Sequence, residues 1–129
     1  MQAQFSATVI DHFQNPRHVG ILPPPSAEGT ASRGAAGPII RLYVELEDDR
    51  LARVSFLTQG CVAAIAAASW VAMSMTGRTR QEARALTPSA ELEGLGGLPS
   101  SRRFCGNLVV QALNLALDAA EKQQKGEPS

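Results

Sequence analysis

Residues Ile40 to Phe56 read IRLYVELEDDRLARVSF, and their spacing predicts a β-hairpin. Ile40, Leu42, Val44 and Leu46 alternate with Arg41, Tyr43 and Glu45, the period of a strand with one face buried. Glu47 to Arg50 supplies a polar four-residue turn. Ala52, Val54 and Phe56 then alternate with Arg53 and Ser55, so the two runs pair antiparallel.

Beyond Gln59-Gly60 the period changes. Cys61 to Met75 is Ala-rich and apolar on almost every face, which predicts a helix buried in the centre of the domain and stopped near Gly77. Trp70, Met73 and Met75 read as core. Thr79 and Glu82 are spaced as a capping box opening a short helix to Leu86. A Gly-rich stretch from Gly94 to Ser101 leads to a last helix, with Leu108, Ala112, Leu115 and Ala119 as its stripe. On the other side of the hairpin, Phe5, Val9, Ile10 and Phe13 predict a short amphipathic helix that Asn15-Pro16 ends. Val19 to Gly37 holds three consecutive prolines, Pro23 to Pro25, and reads as a surface loop with room for a thin edge strand. The expected fold is α+β: a small antiparallel β-sheet packed with helices. It forms one domain over residues 1–129, with its core at about 5–120 and a polar tail at 121–129.

Composition narrows the function classes. Twelve basic and twelve acidic residues leave no net charge, which argues against nucleic acid or an anionic membrane as the partner. The apolar run after Cys61 is broken by Ser69 and Ser74 and is shorter than a membrane span. No signal peptide is visible at the start, so a cytoplasmic protein with free thiols is expected. No Ser/His/Asp set and no paired carboxylates point to an enzyme. Gly94, Gly96 and Gly97 lack the strand and the Lys-Ser/Thr of a phosphate loop.

The chemistry rests on two cysteines, Cys61 and Cys105, each at the expected start of a helix. Free amides and the helix dipole favour a thiolate there, and Arg102 and Arg103 would add to this at Cys105. The plainer reading of either residue is a small buried hydrophobe. Neither belongs to a CxxC pair. His12 reads as a surface or packing histidine. His18 is a loop residue that, with Glu28, would be the first extra ligand to suspect.

Three segments in register carry a resemblance: DHFQNPRHVG (Asp11 to Gly20), LTQGCVAAIAAAS (Leu57 to Ser69) and LPSSRRFC (Leu98 to Cys105), followed by NLVVQALNLAL. Together they resemble the NifU/IscU family of iron–sulfur cluster assembly scaffolds over residues from about 5 to 120. The resemblance implies that Cys61 and Cys105 occupy metal or cluster positions and that Cys105 is the persulfide acceptor. It also marks three degenerate positions. Ala36 stands for the family's first cysteine, Pro38 for its aspartate and Phe104 for its histidine. Two ligands per chain are half the complement of zinc or a [2Fe–2S] cluster. The implied cargo is therefore a [2Fe–2S] cluster, iron or zinc on an incomplete site, or none. A homodimer sharing one cluster would complete the set. The implied partners are a cysteine desulfurase and a chaperone, the latter through Leu98-Pro99-Ser100-Ser101-Arg102, which keeps half of the family's recognition run. The alternatives are a pseudo-scaffold that regulates cluster assembly without metal, and a thiol redox module using the Cys61/Cys105 pair.

Overall fold

The hairpin forms as its alternation requires. Strands β2 (Ile39–Glu47) and β3 (Arg50–Gln59) pair antiparallel, with Leu42 opposite Phe56 and Val44 opposite Val54. The turn is tighter than the four residues expected. Only Asp48 and Asp49 lie between the strands, and both take positive φ, 52° and 67°, as a two-residue type I′ turn requires.

The structure, a computed structural model, describes residues 5–34 and 37–124. In it the thin edge strand becomes a full third strand, β1 (Ala27–Ser32), antiparallel to β2, so the sheet order is β1-β2-β3. Its inward residues are Ala27, Gly29 and Ala31, all buried. They are small because a helix backbone lies directly on them. A β-carbon at Gly29 would sit 2.3 Å from both the Ala112 carbonyl oxygen and the Ala116 amide nitrogen.

The remaining elements are α1 (Ala7–Gln14), α2 (Val62–Met75), α3 (Arg80–Arg84), α4 (Pro88–Gly94) and α5 (Phe104–Gln124). α5 covers β1 and β2, α2 covers β3, and α1 packs on α2. The fold is α+β, and one hydrophobic cluster runs from Val9 through α2 to Leu117.

α2 is buried along nearly its whole length by alanines, which let neighbouring backbones approach. It stops at Thr76, followed by Gly77 at φ 88°. Met75 is core, but Met73 is exposed, because it lies on the one strip of α2 that faces solvent. Trp70 is half-buried against α4; a β-carbon at Gly94 would fall 2.0 Å from its indole ring. The capping box of α3 forms, Thr79 and Glu82 each accepting from the other's backbone amide. α5 buries a wider face than the expected stripe: Val109, Leu113, Ala116, Leu117 and Ala120 point inward with Leu108 and Ala112, while Leu115 is exposed. The cause is packing on two sides, against the sheet and against α2. α4 goes beyond what the spacing predicts. Thr87 caps it by accepting the Ala90 amide at 3.1 Å, and Pro88 occupies its first turn. Among the described residues no helix is long and apolar enough to cross a membrane.

Candidate functional site

The β3–α2 junction presents Cys61. β3 ends at Gln59, and Gly60 turns the chain at φ 148°. Only glycine fits, since a β-carbon there would meet the Pro38 side chain at 2.6 Å. Cys61 is then the extended N-cap of α2, half-buried, and its side chain does not cap the helix.

Cys105 comes from another direction. Leu98 is buried, Pro99 starts a 3-10 turn (Ser100–Arg102), and the chain enters α5 at Phe104. Cys105 is thus the second residue of α5 and wholly buried. The fold brings it close to Cys61, near enough for the two side chains to influence each other, and both cysteines are free.

The surroundings of Cys105 work against the expected thiolate. Burial pushes its pKa up to about 12, the Cys61 sulfur adds to this, and Arg102 pulls weakly the other way. Desolvation of the charged form outweighs both the helix dipole and the arginine.

Of the degenerate positions, Pro38 lies against Gly60, one residue from Cys61. Phe104 adjoins Cys105, and its ring carries the Arg33 guanidinium 4.1 Å from its centroid. Ala36 lies outside the described residues. Arg33 therefore touches the residue before Cys105, and Pro38 the residue before Cys61.

The other candidates lie elsewhere. His18 bonds through Nδ1 to the Val54 carbonyl at 3.0 Å and lines a cavity of about 260 Å³ with Thr76, at the far end of α2. That end is roughly 20 Å from Cys61 at 1.5 Å per helical residue. Glu28 is exposed on β1 and pairs with Arg41 at 3.7 Å. His12 is a packing residue: its Nδ1 lies 2.7 Å from Ser69 Oγ, which also accepts the Arg17 amide at 2.9 Å. Among the described residues no three His, Cys, Asp or Glu side chains converge to hold a metal ion.

Sequence reasoning passed over two residues here. Arg33 carried no motif. Glu91, on α4, is wholly buried with neither carboxyl oxygen hydrogen-bonded, and burial pushes its pKa up to about 8. A β-carbon at Gly106 would lie 2.9 Å from Glu91 Oε1, so this carboxyl sits against the turn of α5 that carries Cys105. The Thr87-Pro88 pair was the signal for its helix. What the site offers is two soft sulfur donors, a neutral carboxyl and an arginine, half of a tetrahedral or cluster ligand set.

Residues 4–127 match the family described as NifU-like N terminal domain. The chain is 39% identical over 113 residues to the iron-sulfur cluster assembly scaffold protein IscU 1 of Archaeoglobus fulgidus, covering 88% of this chain and 74% of that protein. It is 35% identical to the iron-sulfur cluster assembly scaffold protein IscU of Aquifex aeolicus, covering 98% and 83%. Its fold is similar to the crystal structure of a nitrogen-fixing NifU-like protein (N-terminal) from Brucella abortus, with a TM-score of 0.72 at 14% identity over 93% of this chain and 94% of that one.

Proposed function

Because the chain belongs to the family of NifU-like N-terminal domains, we propose that it is a scaffold of iron–sulfur cluster assembly carrying its cargo on Cys61 and Cys105. The observation behind this reading is the convergence of two free thiols from separate elements at one end of α2 and α5. It acts as a carrier and not as an enzyme. Sulfur arrives from a cysteine desulfurase at Cys61, the half-buried thiol. Cys105, the acceptor implied by resemblance, is reached across the short gap between the two sulfurs. Two chains meeting at this site would supply four thiolates, the usual complement of a [2Fe–2S] cluster. Phe104 and Pro38 give the meeting surface apolar area to bury.

Anaerobic reconstitution with iron, cysteine and a desulfurase tests this, followed by sizing and visible absorption. The expected result is about one cluster per two chains, a dimer that dissociates on chelation, and loss of colour in both Cys61→Ser and Cys105→Ser. Colour that survives either substitution would overturn the assignment of the pair, and a coloured monomer would overturn the sharing.

A further inference from the structure

Position 38 stands where the resemblance puts an aspartate, and proline offers a metal no donor. The structure gives this residue a different neighbour. Pro38 precedes Ile39, which pairs with Gln59 at the end of the β2–β3 ladder. One step past that pair it lies against Gly60: a β-carbon on Gly60 would meet the Pro38 β-carbon at 2.6 Å and its α-carbon at 3.1 Å. The Ala64 methyl, in the first turn of α2, is 3.7 Å from the same point. Gly60 has a φ of 148°, which side-chain-bearing residues rarely adopt, and glycine by itself would be free to leave that conformation. A ring whose own φ is fixed stands against it instead. Cys61 follows directly, as an extended N-cap whose side chain makes no capping hydrogen bond. With no such bond to orient it, the direction of the cysteine is set by the backbone that leads into it.

We propose that Pro38 is a positioning residue for Cys61: its β-carbon holds the Gly60 turn in one conformation and so keeps the thiol half-buried. Pro38 acts through Gly60 and supplies neither charge nor proton, so what it controls is access. This rests on the reading of Cys61 as the receiving thiol, for which the manner of its presentation matters.

The test compares wild type, Pro38→Ala and Pro38→Gly. Each is alkylated with iodoacetamide, and peptide mapping by mass spectrometry follows the two thiols separately. Pro38→Ala keeps the β-carbon at the contact and should react at Cys61 within about twofold of wild type. Pro38→Gly removes it, frees the turn, and should raise the Cys61 rate about threefold or more. Cys105, wholly buried, is the internal control and should stay slow in all three. A Cys61 rate in Pro38→Gly no higher than in wild type overturns the inference. So does Pro38→Ala matching Pro38→Gly, or an equal acceleration at Cys105, which would mark general loosening of the fold. Sulfur uptake from inorganic polysulfide is counted in parallel by intact mass. There the Cys61 thiolate attacks a polysulfide sulfur, the S–S bond at that sulfur breaks, and the shortened polysulfide leaves with the electron pair. A wild type that takes up no sulfur overturns the reading of Cys61 as the receiving thiol, while the alkylation rates still decide the role of Pro38.

Discussion

The Glu91 carboxyl has no partner for either oxygen and no solvent, so it is held in its acid form. Its folded pKa of about 8 lies above the ordinary 4.5, so between those values the folded chain binds a proton that the unfolded chain has released. Stability from this group is therefore full below pH 4.5 and is lost as pH rises through about 8, by an amount on the order of a few kcal/mol. His12 works in the opposite sense: burial lowers its pKa, so its contribution is lost as pH falls. Comparing wild type with Glu91→Gln isolates the carboxyl. Urea midpoints of the two should diverge progressively from pH 5 to pH 8, Glu91→Gln being the more stable at the upper end. Parallel curves would show that Glu91 is solvated or paired. This residue was hidden in PSAELEG, where a glutamate between Ala90 and Leu92 reads as a solvent-facing position. The cysteines were legible as helix starts, but the upward shift at Cys105 was not, because desolvation depends on what the rest of the chain packs around it.

At the scale of elements, the alternation of large apolar and polar residues made β2 and β3 readable and left β1 nearly silent. β1 is buried through Ala27, Gly29 and Ala31, whose small size is the signal, and a hydrophobic period does not register it. The close passage of α5 over Gly29 makes a sharp demand. Gly29→Ala would drive a methyl into the backbone of Ala112 and Ala116, atoms that cannot swing aside as a side-chain tip can. It should cost about 3 kcal/mol or more, measured by denaturant melting. A loss below about 1 kcal/mol would mean that β1 and α5 are farther apart than described. α4 escaped notice for a different reason: at seven residues it is too short for a helical period, and only its cap and proline mark it.

Across the whole molecule the segments carrying Cys61 and Cys105 meet at one end of the fold, while the Asp11 to Gly20 segment runs along α2 toward its far end, so only two metal donors come together among the described residues. A single chain should accordingly lose zinc to a competing chelator. Phe104→His places an imidazole next to Cys105 and removes the platform under Arg33. Zinc retention should rise by tenfold or more, since a third donor replaces water in the coordination sphere. Unchanged retention would show that position 104 does not face the thiols. The family resemblance said where ligands are to be expected; the structure adds that Arg33 is stacked on the aromatic ring of Phe104, the residue before Cys105.

Trp70 is the sole tryptophan, and its indole lies against Gly94 of α4, the helix that carries Glu91. The molecule therefore has a built-in optical reporter for that helix. Lifting α4 would wet the ring and move its emission to the red, while docking would shield it. Stopped-flow fluorescence on the unlabelled protein thus follows α4 in real time, as sulfur, metal or a second chain arrives at the neighbouring cysteines.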